Sequence, residues 1–501
     1  MKTPESTQAQ WPARLRWWAW VALLLTLPVT SFPYFPVWAG LGETIVRPLA
    51  LYPLALLLVL DLVPYLLRGG RLPRITAPLL WFALVATVAT AVALLGPTPD
   101  LRGQTPPDRA FRAVVTLAIG LSFYLTTLRM TADWDAARRS IRWMWIGVGI
   151  AVAWGLVQGS RLLFRWPSYI PINAVQRLLS VRDLHLTRVS GFAYEPSWFA
   201  DQLAGLALPF LIASVITGFH LFTPRRGGRI LEVLFLAASL FVLVLTYSRG
   251  GLFAFVLSAA VAWLALLGFS RARAPGGDRH APQPRKAGRA NLMVRIGGRI
   301  LLVAGVLAAA GTLLSRSGYF SLLWTRLGQA GDLRAYLASV GGGSRLALAE
   351  AAWEVFEERP FTGVGLGESG FYLLDHLPEW AADRDVEIRS LVVDTSIAFP
   401  NPKNLWMRLL AETGLIGVLL FGSFLVAFLL GCLCLLSQES PRARFIGVAG
   451  VMSWVAILLE GVSLDSLALP TMWVALGITS SSIWNLLEAR KPGQGTSGEN
   501  A

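Results

Sequence analysis

Cysteine and histidine are scarce in this chain, at 2 and 4 of 501 residues. Cys432 and Cys434 lie two positions apart in an apolar run, on nearly opposite faces of any helix, which excludes a disulfide framework. His185, His220, His280 and His376 are scattered, so no zinc spacing exists, and neither a metal nor another cofactor is expected. Charge is also sparse. Asp, Glu, Lys and Arg make up 15% of the residues against 54% hydrophobic ones, which excludes an ordinary soluble core.

What the chain has instead is apolar length. A hydrocarbon layer about 30 Å thick needs roughly 20 apolar residues per helix. Twelve stretches meet that need: 15–36, 45–67, 76–95, 110–128, 141–161, 198–218, 230–247, 250–269, 295–314, 404–436, 443–461 and 466–487. The expected fold is an all-α polytopic membrane protein with about twelve transmembrane helices. Its expected parts are 1–314 (helices one to nine), a large, mainly helical outward loop at 315–403, helices ten to twelve at 404–487, and a tail at 488–501. The first stretch follows Arg14 and Arg16 as a signal peptide would. No small-residue cleavage site is evident and further spans follow, so it reads as a retained helix.

Alternate loops carry the positive charge that marks a cytoplasmic side. They hold Arg68, Arg71 and Arg74; Arg129, Arg138, Arg139 and Arg142; Arg225, Arg226 and Arg229; and a basic linker at 270–294. Both termini are therefore expected in the cytoplasm, and the large loop outside. The net charge of +14 follows from this orientation, and nucleic-acid binding is not expected. Asp61, toward the cytoplasmic end of the second span, is expected to pair with an arginine there.

Three outward segments carry more than connection. The segment 161–197 mixes Arg165, Arg177, Arg182 and Arg188 with Trp166 and Tyr169, as an amphipathic element at the interface would, and ends in Ser190-Gly191-Phe192-Ala193-Tyr194-Glu195-Pro196-Ser197. The turn Thr246-Tyr247-Ser248-Arg249-Gly250-Gly251 joins a cation, a hydroxyl and helix-start amides that suit a phosphate. An arginine at a helix end also serves as a snorkelling anchor. In the large loop, Leu346, Ala349, Trp353 and Phe356 recur at helical spacing between Arg345 and Pro360, with Glu350, Glu354, Glu357 and Glu358 as a solvated face. Gly363-Val364-Gly365-Leu366-Gly367 follows without a preceding strand, so it is no dinucleotide fingerprint; its glycines suit close passage to the membrane surface or to a sugar.

These pieces resemble, in order and spacing, the bacterial O-antigen ligase and polymerase superfamily. The resemblance covers about 185–420. It rests on the Ser-Gly-Phe segment with Pro196-Ser197, the Ser248-Arg249-Gly250 turn, Ser344-Arg345, Pro360-Phe361-Thr362-Gly363 and the re-entry Asn404-Leu405 with Ala411-Glu412-Thr413-Gly414. It implies a GT-C-like glycosyltransferase, metal-independent and inverting, that acts on undecaprenyl diphosphate-linked glycans at the outer face of the bacterial inner membrane. Arginines of that family hold the diphosphate; the matching positions are Arg249 and Arg345. Ligases commonly carry histidine before the re-entry Asn, where this chain has Lys403. That departure, with Glu195-Pro196-Ser197, favours a polymerase of O-antigen or exopolysaccharide repeat units, acting with lipid-linked donor and acceptor and with a chain-length regulator as a possible partner.

Breaking the bond to the lipid diphosphate develops negative charge on the leaving group, which preorganised cations stabilise. Arg249, Arg345 and Lys403 are the candidates, supported by Arg188, Arg47, Ser248, Gly250 and Asn404 as substrate contacts. Glu195 is the candidate base for the acceptor hydroxyl; a position before Pro196 also suits helix capping or ion pairing. Glu412 is expected to pair with Arg408 one turn earlier. Two other readings remain: a ligase that transfers the glycan to lipid A-core or a protein hydroxyl, and a transporter, against which stands the lack of a two-half symmetry.

Overall fold

The computed structural model describes residues 11–34, 45–222, 226–271, 312, 325–393 and 396–488. Its helices are α1 (Trp11–Thr26), α2 (Leu51–Leu67), α3 (Ala77–Ala93), α4 (Pro106–Met130), α5 (Trp134–Phe164), α6 (Tyr169–Leu179), α7 (Pro196–Thr217), α8 (Arg226–Leu245) and α9 (Arg249–Arg271). Beyond them come α10 (Leu333–Ser339), α11 (Gly343–Glu358), α12 (Glu379–Arg384), α13 (Val386–Val392), α14 (Leu405–Leu436), α15 (Pro441–Glu460) and α16 (Pro470–Glu488). Among the described residues, β pairing is limited to isolated bridges. The all-helical polytopic fold read from the sequence is therefore present.

Among the described residues, eight helices are long and apolar enough to cross a membrane, and α1, α2 and α16 occupy three more of the expected spans. Apart from Thr312, the span expected at 295–314 lies outside the described residues, as do Arg225 and the linker beyond Arg271. Local signals explain the helix starts. Asp133 caps α5 by accepting from the Ala136 N–H at 2.8 Å, and Thr105 precedes Pro106 at the start of α4. Two expected spans are shorter than read. α1 stops at Thr26 because Pro28 follows, and α2 starts only at Leu51, after Pro48. Ser31 instead bridges both Arg47 and Ser180, so Arg47 lies on a short extended segment ahead of α2 rather than on its end.

Buried α7 and α15 form the centre of the bundle. The interface element expected at 161–197 is α6, which buries Ile172 and Gln176 while Ile170 and Leu178 stay exposed on one face. Trp166 is exposed beside it, as an interfacial anchor should be.

The large loop before α14 has its own small core, made of Ala347, Leu348, Ala351, Ala352 and Val355 of α11 with Val364, Leu373, Ala381, Ile388 and, from α14, Ala411. The buried stripe of α11 is thus rotated from the one its larger side chains suggested, and Trp353 is half exposed. Small residues win the inner face because α14 approaches closely there. The four glutamates are only partly a solvated face: Trp380 donates to Glu350, Trp353 to Glu357, and Glu358 pairs with His376.

The glycine run is a structural joint. α14 breaks at Gly414, whose φ of 60° and ψ of −165° suit only glycine. The loop 360–367 supplies the hydrogen bonds the broken helix lacks: Leu415 N–H donates to Pro360 O at 2.8 Å and Ile416 N–H to Phe361 O at 3.2 Å. In return Val364 N–H donates to Ala411 O at 2.9 Å and Gly365 N–H to Glu412 O at 3.0 Å. Irregular backbone at membrane depth persists only where protein satisfies it in this way. A Cβ on Gly363 would lie 2.4 Å from the Glu412 carbonyl carbon, so the contact requires glycine. The run therefore packs against α14, α3 and α4, where the sequence suggested the membrane surface or a sugar.

A buried polar network seals this joint. Arg408 pairs with Glu412 at 3.1 Å, as expected, and Ser369 donates to the same carboxylate at 2.9 Å. Glu368 is buried with Oε1 lacking a hydrogen-bond partner, and burial, reinforced by Glu412, pushes its carboxyl up to about 8.

Candidate functional site

The starts of α7, α9, α11 and α14 and the end of α15 converge at one end of the bundle. The turn between α8 and α9 is built as a cap: Thr246 Oγ1 accepts from the Ser248 N–H at 3.2 Å, and Ser248 Oγ accepts from the Gly251 N–H at 3.2 Å. Ser248 is therefore the N-cap of α9 and Arg249 its first residue. Gly251 lets the turn touch α7, since a Cβ there would lie 2.5 Å from that of Ala200. Gly250 faces Ser463, with 3.6 Å between its virtual Cβ and the serine Oγ.

Arg249 reaches from this turn to the large loop and donates to Val340 O at 2.9 Å. Arg188 donates to Thr246 O at 2.8 Å and so braces the same turn. From the loop side, Arg345 donates to Ser463 O at 2.6 Å and Lys403 O at 3.4 Å. Lys403, in a left-handed conformation, is ion-paired with Glu387, which also accepts from Ser344 Oγ at 2.6 Å. Burial would raise the Glu387 carboxyl, but the Lys403 and Ser344 hydrogen bonds hold it below its ordinary value. Asn404 caps α14, accepting from the Trp406 and Met407 N–H groups at 3.0 and 3.2 Å.

Arg188 is thus tied to the turn through Thr246, Arg345 joins Lys403 to Ser463, which Gly250 of the turn faces, Asn404 follows Lys403 directly, and Arg249 reaches Val340 ahead of α11. Glu195 and Arg47 stand to one side. Glu195 precedes α7 and is ion-paired with Arg182, whose guanidinium also lies 5.0 Å from the centre of the Tyr194 ring. Arg47 is tied to the same flank by its N–H bond to Thr30 O, while Thr30 Oγ1 accepts from the Tyr194 N–H at 3.0 Å.

Three residues not assigned from the sequence belong to this end. Asp201 on α7 and Glu460 at the end of α15 line a small cavity of about 30 Å³ with Trp198 and Gln202. Glu460 Oε1 and Gln202 Oε1 are buried there without hydrogen-bond partners, and Arg345 is the cation that acts on Asp201. The available signal was an acid inside an apolar helix, a functional flag in membrane proteins. His185 is the third. Burial, then Arg182, lowers its pKa, and its buried Nε2 has no hydrogen-bond partner. It therefore sits as a neutral imidazole beside Glu195 and Arg188, which no sequence spacing announced.

Helical spans long and apolar enough to cross a membrane define a polytopic membrane protein, with arginines and buried acids gathered at this end. Residues 234–422 match the family model described as O-antigen ligase, which bears out the resemblance to the O-antigen ligase and polymerase superfamily. Members of that family are glycosyltransferase-like enzymes of lipid-linked glycans. The matched region runs from α8 past the break in α14 and includes Arg249, Arg345, the glycine joint and Lys403. No curated protein matches the chain.

Proposed function

We propose that the protein polymerises lipid-linked glycan repeat units, transferring the growing glycan from its polyprenyl diphosphate to a sugar hydroxyl of another lipid-linked unit. The observation that carries this reading is the convergence of Arg249 and Arg345 from opposite sides, membrane turn and outward loop, on one end of the bundle. In the proposed step the acceptor oxygen bonds to the anomeric carbon on the face away from the diphosphate. The bond from that carbon to the diphosphate oxygen breaks, and its electron pair leaves with the diphosphate. Arg249 and Arg345 stabilise that charge. The acceptor proton passes to Glu195, which is ion-paired with Arg182. Lys403, ion-paired with Glu387, adds positive charge where a ligase would offer imidazole.

The active end faces outward in this reading and both termini face the cytoplasm, as the arginine-rich turns at the other end favour. A ligase reading, with lipid A-core or a protein hydroxyl as acceptor, is favoured by the description of the matching family model. Purified protein given a lipid-linked repeat unit alone separates the two. A ladder of longer lipid-linked glycans supports polymerase; transfer that occurs only after lipid A-core is added supports ligase and rejects the polymerase assignment.

A further inference from the structure

At the opposite end of the bundle, the start of α1, the middle of α2, the end of α4 and the start of α5 enclose a crevice of about 570 Å³. Four arginines line it, Arg14, Arg16, Arg129 and Arg139, together with Trp17 and Trp18. Two acids stand against them, and both are committed. Asp61 is buried and, as expected from the sequence, pairs with arginines, Arg16 at 2.7 Å and Arg129 at 3.5 Å. Asp133 spends its carboxylate on the cap of α5. Among the described residues that line the crevice, Arg16, Arg129 and Arg139 alone outnumber the two acids.

The middle of α2 winds as a π-helix over Leu58–Leu62, and Asp61 lies within that wider turn; such turns recur at functional sites. Arg139 stacks on Trp17 at 4.8 Å and Arg129 on Tyr65 at 4.6 Å, which uses the guanidinium faces and spares their N–H edges. Arg129 Nε is buried without a hydrogen-bond partner, because its approach to Asp61 is an ion pair without hydrogen-bond geometry. A second compartment of about 220 Å³ adjoins, sharing Arg129 and adding Arg71 and Trp484.

We infer that this crevice binds the phosphodiester headgroup of an anionic phospholipid from the leaflet at this end. Phosphate oxygens match guanidinium forks, and an acceptor there would satisfy Arg129 Nε. Free phosphate offers the same oxygens; the lipid is favoured by the exposed indoles of Trp11 and Trp18, which suit the level where headgroups meet acyl chains. No residue is shared with the candidate transfer site, so this inference stands apart from the proposed reaction.

Full-length protein, purified and delipidated in detergent, tests it by native mass spectrometry. Phosphatidylglycerol is expected to stay bound where phosphatidylcholine does not, and a large excess of inorganic phosphate is expected not to displace it. Arg14 and Arg139 are both exposed, and the double variant Arg14→Gln/Arg139→Gln should weaken retention about 25-fold, at about fivefold per basic group. Arg229→Gln, an exposed change at the start of α8, should leave it unchanged. Should the double variant fail to accumulate, each single change is read for its fivefold loss. Equal retention of the two lipids, full displacement by phosphate, or wild-type binding by the variants would overturn the inference.

Discussion

Glu195 separates a chemical role from a structural one. As the proton acceptor, its Gln variant should lose about 10²- to 10⁴-fold in turnover with little change in donor affinity, measured by glycan transfer beside binding of the lipid-linked donor. Undiminished turnover would remove the base assignment and leave only the ion pair with Arg182. Glu368 gives a different test, in stability. Its carboxyl sits at about 8 when folded against 4.5 for the free group, so the folded state keeps a proton that the unfolded chain releases between these values. Stability therefore falls as pH rises from about 4.5 to about 8, and thermal midpoints should drop between pH 6 and pH 9 in the wild type and less in Glu368→Gln. At this scale Arg249 stood out as a cation in a glycine turn between apolar runs, while Arg345 and Lys403 were singled out through the family resemblance. Asp201, Glu460 and His185 were not legible, because their significance depends on partners that arrive from distant helices.

The break in α14 is the element on which the large loop hangs. Gly414→Ala and Gly363→Ala each force a side chain into a left-handed backbone, at about 1–3 kcal/mol of strain, and each adds a Cβ 2.4 Å from backbone. Both variants should lower the thermal midpoint and the yield of folded protein in detergent. Gly422→Ala, further along α14 with nothing within 4 Å of its virtual Cβ, should match the wild type or exceed it slightly. If all three behave alike, the joint does not hold the loop. The helices themselves were legible from apolar length, and prolines explain why α1 and α2 are shorter than read. The joint was not, since the exchange of hydrogen bonds between 360–367 and 411–416 is a long-range pairing that neither glycine run declares alone.

For the whole molecule, the orientation and the reaction are one claim, because the arginine-lined end must face the side on which the lipid-linked glycan lies. In a cysteine-free background, Glu354→Cys on α11 should react with a membrane-impermeant maleimide in right-side-out vesicles. Glu439→Cys, between α14 and α15, should react only after permeabilisation. The reversed pattern would turn the molecule over and reject the outward site. The most direct measurement gives purified protein a lipid-linked repeat unit and follows the glycan length on the lipid. We expect the wild type to produce longer lipid-linked glycans, and Arg249→Ala and Arg345→Ala, inserted and folded normally, to lose at least about 10²-fold in rate. Wild-type elongation by both variants would contradict the leaving-group role of the two arginines, and a wild type that moves the lipid without any covalent change would contradict glycan transfer itself.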